Sequence, residues 1–422
     1  MSFYSLTDFL EPIHLAAITG DVDIKEGQMG RSLGMYEDEF PDLTNADIVI
    51  AGCDDLRGDG NPADLAGVNK IRKEFYALYF WHKDIKIADI GNIKRGETLA
   101  DTYAAVKTVA EELIKNGKIF ILLGGSHDLT LAVYEAYRSM GKIIEATGVD
   151  AYIDLSIDNP VKSKNFLMEM LTGEPNFIRH YSHIGFQSYY VHPHMLETMD
   201  KLRFDCYRLG KVKENIEEME PAIRSSDFMS FDLAALGSAT FWEGSSPNGF
   251  NGEEACTLMR YAGMNEKMKA VGIYGYNQQQ DPFNNLAKQV SQMLWYYIDG
   301  LHFGRTEAAL DDKEMFIECH LAFATIETTF IKSRKTGRWW MKMPDGQYVP
   351  CSWLGGPWGF DGPNRVPFSR PWHGLPRPFA LSLSGLAFAP TKWCSCLCRG
   401  CRGLGRVPKS TRRRCPGSSG RG

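Results

Sequence analysis

Short apolar runs alternate with amphipathic segments through residues 45–300 of the chain. A short apolar run is typical of a buried strand, and apolar positions every three or four residues are typical of a helix. Strands that alternate with helices indicate a parallel sheet covered on both faces. The pattern therefore predicts a three-layer α/β/α fold with a mostly parallel sheet of roughly eight strands. The strand-like runs are 47–55, 84–92, 118–125, 181–187, 204–210, 227–233 and 269–276, and the helix-like segments are 62–79, 97–117, 252–264 and 284–300.

The pattern changes between residues 315 and 351. Four short strand-like segments follow one another there, and residues 334–337 have the composition of a hairpin turn. We interpret this stretch as a small β appendage on the same domain. The predicted domain thus spans residues 1–353, with its core at 45–300.

Residues 354–422 differ in kind from the rest of the chain. They hold nine Pro and twelve Gly among 69 residues, a composition that does not support a packed core, so we expect disorder. The abrupt change at Trp353 leaves a second hypothesis open, namely translation in the wrong reading frame joined to a normal domain. Five cysteines of this tail include one C-x2-C pair, which is compatible with a soft metal such as zinc. No second pair matches it in the sequence, so free thiols are the simpler interpretation.

Charge is distributed unevenly along the chain, whose net charge is -5. The tail carries twelve Lys or Arg against one acid, a net of +11, so residues 1–353 carry 35 bases and 51 acids, a net of -16. An acidic main domain argues against nucleic acid as its partner. No apolar stretch approaches the ~20 residues that span a bilayer, and the N-terminus lacks the pattern of a secretory signal. We therefore expect a cytoplasmic protein without a membrane partner.

Three apolar runs carry residues able to bind a metal ion where the runs end. We expect the runs to be buried parallel strands, whose carboxyl ends converge on the crevice where open α/β sheets bind ligands. One imidazole and three carboxylates form a credible site for a hard or borderline divalent ion such as Mn2+. The runs are 121–128, 151–159 and 228–236, and the candidate metal ligands are His127, Asp154, Asp158 and Asp232.

Each of these residues also has a simpler explanation. His127 follows a pair of glycines, so it is able to cap the helix that starts there or to satisfy backbone groups. The three aspartates are able to persist as hydrogen-bonded crevice residues without a metal. Four further histidines surround a strand and include an H-x-H pair, for which surface or structural roles are commoner than metal binding: His180, His183, His192 and His194.

The segments GGSHD (124–128), IDLSID (153–158) and SFDLAAL (230–236) resemble motifs of the ureohydrolase family, which contains arginase, agmatinase and formiminoglutamase. Members of that family use a GGDHS-like turn, a DAHxD strand end and an SFDxDxxDP strand end to hold two manganese ions around a bridging hydroxide. The resemblance covers residues 45–300 and includes the order and spacing of the three motifs. It implies an arginase-like fold.

The resemblance implies a role for each candidate ligand. His127 matches the histidine of the first metal, and Asp158 matches the remaining carboxylate of that metal. Asp154 and Asp232 match the carboxylates that contact both metals. A complete set of first-metal ligands is therefore implied.

The same resemblance implies a depleted second-metal site. Its own histidine corresponds to Ser156 and its own aspartate to Ala234. The family's guanidinium-binding carboxylate, in an E-x-N-P pattern on the last strand, corresponds to Gly275, and the proton-transfer histidine has no match within 159–176. Serine is a weak ligand and alanine is none, so we expect one Mn2+ ion at most, or none.

Two hypotheses about function remain open. The first is an enzyme that hydrolyses C–N bonds in formimino or amidino compounds, with one metal and reduced activity. Formiminoglutamate is favoured over arginine, because a buried guanidinium would lack its counter-charge. The second is a non-catalytic member of the family that binds a small molecule or a partner. The resemblance also leaves a homo-oligomer open, and the catalytic residues stay unassigned.

Overall fold

The structure is a computed structural model. It describes residues 3–20, 23–60, 67–156, 159–237, 246–323 and 326–352, all of which lie within one compact unit of the chain. Asp158 and the predicted tail 354–422, with its cysteine cluster, lie outside the described residues.

Ten strands of the described residues form one large sheet. They are β1 (Leu10–Glu11), β2 (Gly34–Met35), β3 (Ile48–Gly52), β4 (Ile87–Ile93), β5 (Ile119–Leu123), β6 (Ile144–Val149), β7 (Ile178–Phe186), β8 (Asp205–Arg208), β9 (Phe228–Asp232) and β10 (Ala270–Tyr274). Their order is β1-β4-β3-β5-β10-β9-β6-β7-β8, and β2 pairs with β4. β1 runs antiparallel to β4, whereas the other pairings are parallel. The predicted mostly parallel sheet is confirmed.

Helices cover both faces of this sheet. They are α1 (Leu15–Thr19), α2 (Val68–Tyr76), α3 (Leu99–Lys115), α4 (Leu129–Ser139), α5 (Phe166–Thr172), α6 (Pro193–Lys201), α7 (Leu209–Glu214), α8 (Met219–Arg224), α9 (Gly252–Gly263) and α10 (Asn285–Gly304). Successive side chains of a strand point to opposite faces. Ile121 of β5 accordingly packs in one buried cluster with α2, α9 and α10, and Phe120 packs in a second cluster with α3 and α4. The predicted three layers are confirmed.

The helix predicted at 97–117 forms as α3, and local residues fix its ends. The Thr98 hydroxyl accepts a hydrogen bond from the Asp101 N–H, and the Asp101 carboxylate accepts one from the Thr98 N–H. This reciprocal arrangement satisfies two N–H groups that a helix start leaves free. At the other end Asn116 is followed by Gly117 at φ 75°, a conformation that stops a helix. No helix in the described part of the chain is long and apolar enough to cross a membrane.

The predicted β appendage is a separate antiparallel sheet of β11 (Phe316–Phe323), β12 (Ile326–Ser333), β13 (Trp339–Lys342) and β14 (Tyr348–Cys351). A buried ion pair and hydrogen bonds attach it to the main domain. Arg338 contacts Glu307 at 3.0 Å and donates to the Met264 carbonyl at 3.1 Å. Arg224 of α8 donates to the Trp339 carbonyl at 2.8 Å. The appendage is therefore packed against the core and is not a free extension.

One strand lies elsewhere than the sequence predicts. The run 151–159 is predicted as a strand, but residues 150–156 form none. The strand in this part of the chain is β6, which lies before the run and ends at Val149. Glu145 interrupts the apolar pattern of β6, which hides this strand in the sequence. It is buried there and contacts Arg179 at 2.7 Å, so an ion pair and pairing on both edges stabilise a strand that lacks a continuous apolar run.

Candidate metal centre

Four neighbouring parallel strands end at one edge of the sheet, in the order β5, β10, β9 and β6. His127 lies four residues beyond the end of β5, and Asp232 is the last residue of β9. Asp150 directly follows β6, and Gly275 directly follows β10. Ligands of open α/β sheets bind at such carboxyl ends, so this edge is the candidate site.

A tight glycine turn places His127. Gly124 and Gly125 have φ of 82° and 75°, values that glycine adopts without steric cost. The turn leads into α4 and leaves the His127 side chain only 3% exposed. Phe166 and Tyr274 pack against the imidazole, with ring centroids at 4.8 and 5.6 Å. The ring is therefore held in one orientation by packing.

Three buried carboxylates surround Nδ1 of His127. This atom lies 2.9 Å from Asp154 Oδ2 and 3.2 Å from Asp232 Oδ2. Asp150 Oδ2 follows at 3.4 Å. The other ring nitrogen, Nε2, lies 3.3 Å from the Ser230 hydroxyl. Since ligand atoms of His127, Asp150 and Asp232 lie within 4.8 Å of one another, one ion is able to contact them together.

Backbone groups satisfy some of the carboxylate oxygens and leave others without a partner. Asp150 Oδ1 accepts from the Tyr152 N–H at 3.1 Å, and Asp232 Oδ1 accepts from the Ala234 N–H at 2.7 Å. Within the described residues, the buried atoms Asp150 Oδ2 and Asp154 Oδ1 have no hydrogen-bond partner. A buried acceptor without a partner is costly. The two oxygens therefore fit a site that a cation completes.

The charges of this cluster shift the pKa of its members. Burial alone would lower the pKa of His127, but the carboxylates of Asp232, Asp150 and Asp154 hold it well above its ordinary value. Burial and the neighbouring Asp150 raise the pKa of Asp232. Without a metal, one imidazolium does not neutralise three carboxylates. The cluster therefore favours an added cation.

Lys164 brings a second positive charge to the cluster. Its Nζ lies 3.8 Å from Asp154 Oδ1 and 4.6 Å from the centre of the Tyr152 ring. Partial burial would lower the pKa of Lys164, but Asp154, Asp150 and Asp232 raise it. The side chain is 35% exposed, so Lys164 is a half-buried cation beside the carboxylates.

Three of the four predicted ligands come together in the structure, namely His127, Asp154 and Asp232. The fourth, Asp158, lies outside the described residues. Ser156, predicted at a second-metal position, is half-buried and donates its backbone N–H to the Lys164 carbonyl at 3.0 Å.

Two further positions, at which the sequence predicts that a family carboxylate is missing, lie beside Asp232. Ala234 contributes only its backbone N–H there. Gly275 has φ of 84°, and a Cβ added to it would lie 3.0 Å from Asp232 Oδ1. An acidic side chain at 275 would therefore start in a left-handed backbone conformation and next to a like charge.

Sequence reasoning missed Asp150, although a signal for it exists. Residues 150–154 are Asp-Ala-Tyr-Ile-Asp, which has the spacing of the DAHxD motif. In the sequence analysis this motif is placed four residues later, on residues 154–158. In this register the histidine position falls on Tyr152, and Asp154 becomes the second aspartate. The signal was hidden because the apolar residues after Asp150 were interpreted as a strand.

The remaining histidines near β7 have local partners. His180 contacts a carboxylate of β8 at 3.1 Å. The His192 side chain accepts from the His194 N–H and thereby caps α6. His183 is buried 3.3 Å from the Asp150 carbonyl, and burial lowers its pKa to about 4, so the ring is neutral at pH 7. These contacts fit the structural interpretation of the histidines.

Comparison with known proteins identifies the class of the protein. The model for the Arginase family matches residues 46–298, which is more than half of the chain. The chain therefore belongs to the arginase family. The carboxyl-edge cluster of one imidazole and three carboxylates lies within the matched residues.

Within this family, the chain is similar to curated formimidoylglutamases. It is 28% identical over 120 residues to that of Staphylococcus haemolyticus, a match that covers 28% of this chain and only 39% of the relative's length. It is 24% identical over 244 residues to that of Staphylococcus aureus, covering 55% of this chain and 78% of the relative.

Solved structures share the fold. Formiminoglutamase of Trypanosoma cruzi with Mn2+ has a TM-score of 0.55 and 16% identity, covering 69% of this chain and 99% of that one. Formimidoylglutamase of Bacillus subtilis has a TM-score of 0.58 and 13% identity, covering 67% and 95%. At such identities the likeness establishes the arginase-like fold and no more.

Proposed function

We propose that the chain is a metal-dependent hydrolase of C–N bonds in small formimino or amidino compounds, acting on formiminoglutamate-like substrates rather than arginine. The convergence of three buried carboxylates on Nδ1 of His127, with two carboxylate oxygens left without partners, carries this proposal. The similarity to enzymes named formimidoylglutamase supports the substrate class.

The donor set fits one divalent ion. Nδ1 of His127 and carboxylate oxygens of Asp150, Asp154 and Asp232 would hold it, and this mixture of one imidazole and oxygen donors suits Mn2+. Mn2+ is also the ion in the Trypanosoma cruzi formiminoglutamase. Asp158 stays a proposed ligand, and Asp150 is added because its carboxylate lies 3.4 Å from His127 Nδ1.

The residues of the chain have separate tasks in this proposal. A bound divalent ion would act as a Lewis acid on the C–N group that is cleaved. His127 must give up its ring proton for the ion to bind, and Ser230, Phe166 and Tyr274 keep its ring aligned. Gly275 offers no carboxylate to a guanidinium, which disfavours arginine and agmatine as substrates.

The absence of second-metal ligands at two positions of the cluster favours a single ion and reduced activity. Tyr152 and Ala234 stand where a second ion would find its own ligands in the register described above. The Ala234 N–H already occupies Asp232 Oδ1. The same losses favour the second candidate function, a non-catalytic member of the family that binds a small molecule.

The purified full chain, stripped of metal and reloaded with Mn2+, tests this proposal. We expect metal-dependent hydrolysis of formiminoglutamate, and no urea from arginine or agmatine at about 1 s⁻¹, the lower end of usual turnover. Asp154→Asn should abolish the activity, whereas the matched variant Glu197→Gln, on an exposed turn of α6, should not change it. Ion binding without turnover of any of the three substrates would favour the non-catalytic candidate.

A further inference from the structure

The ammonium group of Lys164 lies beside the carboxylate cluster. Its Nζ lies 3.8 Å from Asp154 Oδ1, one of the two buried carboxylate oxygens of the cluster without a hydrogen-bond partner. It also lies over the Tyr152 ring at 4.6 Å, a distance at which a cation is attracted to the ring face. Lys164 thus contacts a carboxylate and an aromatic ring at once.

The backbone fixes this placement. The Ser156 N–H donates to the Lys164 carbonyl at 3.0 Å, and the Leu167 N–H donates to the Asp154 carbonyl at 3.2 Å. These two bonds join the segment that carries Asp154 to the turn that carries Lys164. The backbone hydrogen bonds therefore hold Lys164 and Asp154 close together, so that the ammonium group lies near the carboxylate.

Two described residues beside Asp154 and Asp232 are poor ligands for a further ion, although the Asp59 carboxylate also lies near enough to Lys164 to raise its pKa. Tyr152 presents an aromatic ring, and Ala234 presents a backbone N–H that already donates to Asp232. Of the two carboxylate oxygens without a hydrogen-bond partner among the described residues, Asp154 Oδ1 is the one that faces Lys164. A second cation beside Asp154 would therefore be repelled by the Lys164 ammonium group.

We propose that Lys164 is a resident cation of the site, which partly neutralises the carboxylate cluster at Asp154 and so limits the site to one divalent ion. This inference rests on the proposed function, in which the carboxylates hold metal. A unit charge about 4 Å from a carboxylate interacts strongly even at an intermediate dielectric. Removing that charge should favour divalent ions at the same carboxylates.

Metal titration of the full chain with MnCl2 tests the proposal, with calorimetry for affinity and stoichiometry. The Mn2+ paramagnetic resonance spectrum gives a second readout, because two neighbouring ions couple and one does not. Lys164→Met removes the charge and keeps most of the length of the unbranched side chain, and Lys164→Arg keeps the charge. Lys162→Met is the matched control, since this exposed lysine lies on the same turn.

We expect Lys164→Met to bind a second, coupled ion or to bind its single ion at least tenfold more tightly. Lys164→Arg and Lys162→Met should stay within twofold of the parent chain. A folded Lys164→Met variant with the parent's stoichiometry and affinity overturns the inference. If the parent binds no ion and Lys164→Met binds one, Lys164 does oppose divalent ions, but the limit of one ion is wrong and so is the metal-loaded parent of the proposed function. If neither binds, both fail.

Discussion

Replacing His127 by Phe should reveal how much the metal-free cluster depends on its imidazolium. Phe keeps an aromatic ring between Phe166 and Tyr274 but removes both ring nitrogens. The carboxylates at 2.9, 3.2 and 3.4 Å from Nδ1 then lose their buried counter-charge. Removing one partner of a buried ion pair costs about 3–5 kcal/mol. We expect the free energy of unfolding at pH 7, in the presence of a chelator, to fall by about this amount.

The pH dependence separates this charge effect from a packing defect. The folded pKa of His127 is raised, so above about pH 6.5, the ordinary value, the folded chain binds a proton that the unfolded chain has lost. The contribution of protonated His127 to the free energy of unfolding is complete below that pH and is lost as the pH rises through the folded pKa. The slope reaches about 1.4 kcal/mol per pH unit for one proton. In His127→Phe the carboxylates take up the proton themselves, which should move the pH dependence to lower pH.

Urea unfolding of the metal-free parent and variant between pH 6.5 and 8.5 measures both effects. His183→Phe is the matched control, because His183 is equally buried but its pKa is lowered to about 4. Its ring is neutral in the folded chain across this range, and the unfolded chain has also lost this proton above about pH 7.5, one unit above the ordinary value. Between that pH and 8.5, its loss should change the stability by one hydrogen bond, about 1 kcal/mol, without changing the slope. The reasoning is refuted if His127→Phe stays within about 1 kcal/mol of the parent and keeps the parent's pH dependence.

Three further predictions concern other parts of the structure. Gly275→Ala should destabilise the chain by about 1–2 kcal/mol in urea unfolding, because of its left-handed φ; no loss would show that the turn adopts another conformation. Asp150→Asn and Asp158→Ala should each weaken Mn2+ binding in calorimetry at least tenfold, about 1.4 kcal/mol; unchanged binding in either variant would remove that residue from the site. Arg338→Met should leave the Glu307 carboxylate without its cationic partner, with the Ser333 and Thr336 hydroxyls still donating to it, and cost about 3–5 kcal/mol; a thermal unfolding temperature equal to the parent's would contradict that buried pair.

The layered fold was predictable because most of its strands are continuous apolar runs. β5 and β9 lie buried on both faces, so each has a sequence signal that tertiary context does not alter. β6 is different. Glu145 is tolerated there because Arg179 neutralises it, and the partner lies 34 residues away in the chain. A local pattern does not reveal such compensation.

The candidate site was predictable in type but not in all its members. His127 and Asp232 lie at strand ends whose positions the apolar runs indicate. Asp150 was missed because the register of the acidic segment depends on where β6 ends. Lys164 was missed for another reason. Backbone hydrogen bonds hold residues 164–167 against the segment that carries Asp154, and no sequence motif indicates this contact.

Anomalous diffraction from crystals of the full chain grown with Mn2+ tests the central claim most directly, because it locates each ion without assuming its ligands. The account predicts one peak, bounded by Nδ1 of His127 and by oxygens of Asp150, Asp154 and Asp232, with Lys164 still facing Asp154. Two peaks within the cluster, or no peak there in crystals that hold Mn2+ elsewhere, would contradict it.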